Sequence, residues 1–349
     1  MEKLRYLLMP FGWIYGLVML LRSRLYKSGF FSSYNPPIPT ICIGNLQVGG
    51  TGKTPHTEFL AAWLSKNHKI AVLSRGYKRK TKGFIKASPL STALEIGDEP
   101  LQISRKNPNI TVAVCEKRAD GIQKLLSEDA GLEIILLDDA MQHLSVTPEL
   151  TILLSELDHP YFDDKMMPAG RLREFYTGEK RADVIIFTKC PLKFSQIKKI
   201  EFIRQLDPYD HQEVYFTAYK YGKLKHIISG EEFSGSINEQ KMIILTGIAN
   251  PKPFSTQVRS FGTVTDEFNF PDHHNFSETD LSDIFEKAGT DTIIVTTEKD
   301  AMRLEPFVQQ ATESAISKQF PSIYYIPIET FFLFDEEVRF KSRILEILK

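Results

Sequence analysis

Cysteine is scarce in this sequence, with only Cys42, Cys115 and Cys190 in a chain of 349 residues. An odd count, on apparent strands or their ends, excludes a disulfide framework and offers no metal-ligand spacing. The three read as small buried hydrophobes in a reducing cytosol. An excess of one charge is missing too: 43 Lys and Arg face 44 Asp and Glu, a formal net charge of −1. At the whole-chain level that gives no argument for a polyanionic partner. Repeats and low-complexity tracts are absent. With 42% apolar and 25% charged residues, the composition is that of a folded chain, long enough for two domains with separate cores.

A run long enough to cross a bilayer is also lacking. Tyr6 to Leu21 is sixteen residues without a charge, about 24 Å as a helix against a hydrocarbon core of roughly 30 Å. Pro10, Gly12 and Gly16 interrupt it. Lys3 and Arg5 precede it and Arg22, Arg24 and Lys27 follow, so positive charge sits on both sides, against the asymmetry of a span. No small-residue cleavage site follows, which argues against a signal peptide. Residues 1–35 carry five bases and one acid, net +4, and Trp13 and Tyr15 suit the headgroup level. That combination fits an interfacial helix on an anionic leaflet; a helix packed on the protein's own core is the competing reading.

What the sequence does have is a loop made for phosphate. The apolar run Pro39 to Ile43 reads as a buried strand, breaks into Gly44-Asn-Leu-Gln-Val-Gly-Gly-Thr-Gly-Lys-Thr54, and is followed from His56 by a helical apolar pattern. Strand, glycine loop, Gly-Lys-Thr and helix are the parts of a P-loop. Gly49, Gly50, Thr51 and Gly52 would curl backbone N–H groups around a phosphate, Lys53 would reach its terminal oxygens, and the Thr54 hydroxyl would face Mg²⁺. The usual pattern places glycine five positions before Gly52, where this chain has Gln47.

Further along, Lys69 to Ser74 reads as a strand running into Arg75-Gly-Tyr-Lys-Arg-Lys-Thr-Lys82, a turn with five bases and no acid. At a strand end beside a phosphate site this turn reads as a surface for an anionic substrate or lipid headgroup. Asp98, in Gly97-Asp-Glu-Pro100, serves equally well as a helix cap or as an acid near a nucleophile. Glu133 to Asp138 is an apolar strand ending in paired carboxylates, Asp138 and Asp139, the Walker B arrangement that holds Mg²⁺. Gln142 and His143 fall at the same edge. Arg173 lies in an irregular stretch where it could neutralise charge on a transferring phosphoryl group. In Phe270-Pro-Asp-His-His274 a histidine could support a carboxylate base.

Alternating strands and helices predict an α/β fold: a P-loop-type, mostly parallel sheet with helices on both faces, plus a second, smaller α/β domain joined by a two-stranded ribbon. The expected segments are a membrane-associating helix over 1–35, a kinase domain over 36–211, a ribbon over 212–232, formed by Val214 to Tyr219 with Leu224 to Ile228, and the smaller domain over 233–349. A GTPase is disfavoured because no Asn-Lys-x-Asp is present. A membrane-associated P-loop ATPase that loads a protein partner leaves Asp98, the basic turn and the second domain without a purpose. A small-molecule kinase uses them all.

Seven segments in order, from Ile43 to Pro55, Ser74 to Tyr77, Gly97 to Pro100, Leu137 to His143, Pro168 to Glu174, Phe270 to His274 and Thr297 to Asp300, resemble the tetraacyldisaccharide 4′-kinases of lipid A synthesis. The resemblance covers nearly the whole chain. It also accounts for Gln47, since that family's loop has the form Gly-Asn-x-x-x-Gly-Gly. It differs at Ala140-Met141, where Gly-Phe is usual, and around Cys115 to Arg118. It implies transfer of the ATP γ-phosphoryl group to the 4′-hydroxyl of a lipid disaccharide 1-phosphate, with Mg²⁺, at the cytoplasmic face of the bacterial inner membrane and with no nucleic acid. Carried over by position, Lys53 and Thr54 serve the phosphates, Asp138 and Asp139 the metal, and Asp98 acts as base supported by His273. Tyr77, Gln142, His143, Arg173 and Glu174 then line the site.

Overall fold

The computed structural model describes residues 8–313 and 321–348; Lys3, Arg5 and Tyr6 of the amino-terminal run lie outside the described residues. In chain order the main elements are α1 (Met9–Lys27), β1 (Thr40–Gly44), α2 (Lys53–Leu64), β2 (Ile70–Ser74), β3 (Ile85–Lys86), α3 (Ala93–Ile96), α4 (Asp98–Lys106), β4 (Thr111–Val114), α5 (Arg118–Glu128), β5 (Ile134–Asp138), β6 (Leu150–Glu156), β7 (Val184–Thr188), α6 (Gln196–Leu206) and β8 (Glu213–Tyr221). They continue as β9 (Lys225–His226), β10 (Lys241–Thr246), α7 (Lys252–Arg259), β11 (Thr263–Asn269), α8 (Glu278–Ala288), β12 (Thr292–Thr297), α9 (Glu298–Glu313), β13 (Ile323–Ile326), β14 (Ile328–Phe332) and α10 (Glu337–Glu346).

The short β-branched runs become the interior of a nine-stranded sheet ordered β14-β8-β7-β6-β1-β5-β2-β4-β3, with antiparallel strands only at its two edges. Period-two alternation feeds both faces. Ile41 and Ile43 of β1 pack with Leu60 and Leu64 of α2, Ile103 of α4 and Phe340 of α10, while Cys42 joins Ile122 and Leu125 of α5 on the opposite side. Each fully buried side chain of this size contributes about 1.5–3 kcal/mol. The helix α2 begins at Lys53 because Gly52 takes a left-handed conformation, and Pro55 falls in the first turn, where no backbone donor is required.

A second, five-stranded sheet is ordered β11-β10-β12-β13-β9. Its core is continuous with the first unit, since Ile96 of α3, Leu101 of α4 and Val114 of β4 pack with Ile243, Ile294 and Leu304. A two-stranded link joins the units, but its composition differs from expectation. β8 pairs antiparallel with β14, β9 pairs with β13, and Gly222 N–H meets the Pro327 carbonyl at 2.8 Å between the two pairs. The partner of 214–219 is thus the returning chain, not 224–228. Residues 328–348 correspondingly lie on the large sheet, so the expected 233–349 unit ends too late at its carboxyl side. An apolar run can be recognised locally, but its partner, more than 100 positions away, cannot.

Helix α1 packs through its glycines. Gly12 lies against the Met166 carbonyl and Gly16 against the Phe175 ring, so near that a Cβ there would stand 2.6 Å from Phe175 Cζ. Its other side leaves Phe11, Trp13, Ile14, Leu17, Val18 and Leu21 exposed. Among the described residues no helix is long and apolar enough to cross a membrane.

Candidate active site

Register brings the loop and the acids together. Ile43 of β1 is paired with Asp138 of β5, so the chain leaving β1 and the carboxylates ending β5 open on one edge. Gly49 and Gly52 have φ of 116° and 88°, accessible without strain only to glycine; a Cβ on Gly52 would also overlap the Tyr219 hydroxyl. The Gly52 carbonyl accepts from His56 Nδ1 at 2.7 Å, while His56 Nε2 accepts from the Thr217 hydroxyl of β8 at 3.0 Å. Burial, opposed by that bond to Gly52, brings His56 down to about 4, so a neutral ring pins the loop. Thr51 is fixed from both ends: its hydroxyl accepts from Asn45 Nδ2 at 2.7 Å and its carbonyl from the Thr188 hydroxyl at 2.9 Å. Lys53 and Thr54 open α2, where unpaired N–H groups and the helix dipole favour an anion.

Asp138 is buried and accepts from the Thr57 hydroxyl at 3.1 Å and the Ser74 hydroxyl at 3.2 Å. Burial, reinforced by the charges of Glu99 and Asp139 and offset by Lys53 and Thr57, raises it to about 6. Asp139 behaves oppositely. Burial raises it, but Lys53 and Arg173 outweigh that and hold it at about 2. Lys53 Nζ is 3.9 Å from Asp139 Oδ1, and Arg173 reaches the same oxygen at 2.9 Å. Arg173 also donates to the Asn45 side chain. Gln142 donates to the Asn45 carbonyl at 2.8 Å and to Glu174 at 2.9 Å. Glu174 is paired with Arg181 at 2.8 Å as well, so it braces the site floor. His143 is brought down to about 4 by burial and by Arg118 and Arg75.

Among the described residues no group of three or more His, Cys, Asp and Glu side chains stands as a metal centre. Thr54 with one or both of Asp138 and Asp139 still fits Mg²⁺, which keeps waters and takes few protein oxygens beside a nucleotide. The hydroxyl and the two adjacent carboxylates are hard oxygen donors of the kind such a cation takes.

A second cluster forms where α4 meets the smaller unit. Asp98 is the first residue of α4; its Oδ1 accepts from the Glu99 N–H at 2.9 Å and its Oδ2 from His273 Nδ1 at 2.8 Å. Gly97, not Asp98, is the cap position of this helix, so the cap reading does not hold; Asp98 opens the first turn and holds a histidine. Burial raises this carboxyl, but the hydrogen bond from His273 and the nearby charges of Lys299 and Arg303 bring it to about 2. Tyr77 packs edge-on to His273 with ring centres 5.2 Å apart. Tyr77, Asp98, His273, Asn275 and Arg303 line one small cavity.

The two clusters adjoin. Ser74, bonded to Asp138, lies three residues before Tyr77, and Glu99, whose charge acts on Asp138, follows Asp98. Sequence reasoning missed Thr57, Ser74, His56, Arg181 and Arg303. Ser74 and Arg303 sat in or beside quoted segments, whereas Thr57 and His56 gave no signal beyond following the loop.

The sequence pattern of the LpxK family, tetraacyldisaccharide-1-P 4′-kinase, matches residues 4–349. The chain belongs to this family. LpxK-family relatives include the tetraacyldisaccharide 4′-kinases of Bacteroides thetaiotaomicron, 41% identical over 98% of this chain and 93% of that protein, and of Flavobacterium johnsoniae, 41% identical over 100% and 98%. Among solved structures, LpxK from Aquifex aeolicus in complex with ATP superposes with a TM-score of 0.78 at 26% identity, covering 99% of this chain and 100% of that one.

Proposed function

We propose that this kinase transfers the γ-phosphoryl group of ATP to the 4′-hydroxyl of a tetraacylated disaccharide 1-phosphate, and that it does so while resting on a lipid surface. The observation that carries this reading is the meeting of a phosphate loop, two strand-end acids and an Asp–His pair on one edge, in a chain matched by the 4′-kinase family almost end to end.

Phosphoryl transfer needs alignment and charge neutralisation more than covalent help. Residues 49–54 hold the β- and γ-phosphates with backbone N–H groups, and Lys53 and Arg173 neutralise the charge that builds on the transferring group. Thr54, Asp138 and Asp139 would hold Mg²⁺, which when bound would offset the negative charge of the phosphate oxygens. Asp98 orients the sugar hydroxyl and takes its proton as the new O–P bond forms and the bond to ADP breaks. A carboxylate held at about 2 is a weak base, which suits a loose transition state in which the proton leaves late. Tyr77, Gln142 and His143 line the approach to the sugar, and Glu174 holds Gln142 in place.

The apolar side of α1 supplies the lipid contact. With Arg22 and Arg24 on the same helix, it fits an interfacial element at an anionic cytoplasmic leaflet. The chain then works as two units joined by the β8–β14 and β9–β13 link, the smaller carrying His273. The test is incubation with ATP labelled in the γ-phosphate and the disaccharide 1-phosphate. A labelled bis-phosphorylated glycolipid is expected; phosphate release with no labelled lipid would overturn the kinase reading in favour of a partner-loading ATPase.

A further inference from the structure

The segment Thr297-Glu298-Lys299-Asp300 has no part in the chemistry above, yet it turns from β12 into α9 directly against His273. Lys299 Nζ stands 3.0 Å from His273 Nε2 and 3.0 Å from Glu99 Oε1. Burial disfavours the ammonium, but Glu99, Asp98 and Asp272 outweigh it and raise Lys299 above its ordinary value. A protonated lysine only donates. Nε2 must therefore be an acceptor, and Nδ1, the atom that faces Asp98 Oδ2 at 2.8 Å, then carries the ring N–H. The other charged and titratable neighbours do not upset this arrangement. Asp272 Oδ2 is 3.9 Å from Nε2 and 4.0 Å separates its other oxygen from Lys299, Lys78 donates to the Asp272 carbonyl at 3.2 Å, and Tyr77 meets the ring edge-on. Arg303 Nε stands 3.8 Å from Asp98 Oδ2.

We propose that Lys299 is a positioning residue that fixes the Nδ1–H tautomer of His273 and, through Glu99, ties that histidine to the helix carrying Asp98. The inference rests on the kinase reading for its kinetic consequence but not for its geometry. Without the ammonium, Nε2 stands 3.9 Å from Asp272 Oδ2 with nothing to oppose a second ring proton, and an imidazolium against Asp98 would weaken Asp98 as a proton acceptor.

The experiment compares Lys299→Met and Lys299→Arg with the wild type, following kcat against pH, KM for ATP and the ¹⁵N shifts of the His273 ring. Expected for Lys299→Met is a fall in kcat of about tenfold or more with KM for ATP nearly unchanged, the acid limb of the kcat profile moving up by about one pH unit. Lys299→Arg, which still donates, should restore most of both. The ring shifts should report an Nδ1–H tautomer in the wild type and a mixture or an imidazolium in Lys299→Met. A Lys299→Met enzyme whose limb stays in place, or a wild-type ring protonated on Nε2, overturns the proposal. Failure of the kinase reading would instead appear as wild-type protein that transfers no phosphate, while the ring shifts still decide the tautomer.

Discussion

Asp98 is kept ionised by its neighbours, and this limits how it can act. Its partners hold it near 2, so at neutral pH it is always ready to accept but never strongly basic. Replacing it with Asn keeps the shape and an oxygen for the Glu99 N–H while removing the carboxylate that can take a proton. We expect Asp98→Asn to lower kcat about 10²–10⁴-fold with ATP affinity almost unchanged, measured by label transfer to the glycolipid and by nucleotide binding. Lys53→Ala should act on both, costing about 10²-fold or more in kcat and weakening ATP. If Asp98→Asn turned over at the wild-type rate, the role given to this carboxylate would be wrong. A further residue-level point concerns Gly52: its left-handed backbone and its closeness to Tyr219 leave no room for a side chain.

At the scale of elements, α1 has two different faces. Gly12 and Gly16 bring its backbone against Met166 and Phe175, and the exposed apolar residues lie elsewhere on the helix. Substitutions should separate the two. Gly16→Val places atoms into the Phe175 ring and should loosen α1 by about 1–3 kcal/mol, seen as faster proteolysis near residue 30. Trp13→Ser with Leu17→Ser should leave the fold and soluble ATP binding intact but reduce flotation with anionic vesicles; unchanged flotation would remove α1 as the lipid contact. Most of the elements were legible beforehand, and the exceptions have physical reasons. The buried strands β1, β2, β5, β6 and β7 are continuous apolar runs, and the acids at the tip of β5 stood out for that reason. β11 is an edge strand with mixed exposure and so carries no such run. The Asp98–His273 pairing joins residues 175 apart, and only the family resemblance, not local pattern, put them together. His56 and Thr57 follow the phosphate loop with nothing in their spacing to mark them, because their partners Thr217 and Asp138 come from distant strands.

For the molecule as a whole, the contact between its units is partly electrostatic. Lys106 of α4 reaches Glu58 of α2 at 2.7 Å and Glu298 of α9 at 2.9 Å, and Gln102 donates to Glu58 at 2.8 Å. Two buried carboxylates share one ammonium. Burial, with the charge of Glu298, raises Glu58 from 4.5 to about 7 even though Lys106 opposes it. A carboxyl that binds its proton more tightly when folded contributes stability that is complete below its unfolded value and fades as pH rises through the folded one. For Glu58 the window runs from 4.5 to about 7. Glu58→Gln should therefore gain on the wild type as pH rises across it, read as urea midpoints at about pH 5 and about pH 8; an equal difference at both would refute the raised Glu58. Lys106→Met leaves both acids without a counter-charge and should cost about 3–5 kcal/mol, measured the same way.

The smaller sheet enters and leaves the larger one side by side, through Gly222 and Pro327. A protease that nicked the chain once within the inserted stretch would therefore release nothing. The two fragments would stay zipped through the ladder from Tyr221 opposite Ile328 to Thr217 opposite Phe332, and a sizing column would still deliver them in one peak.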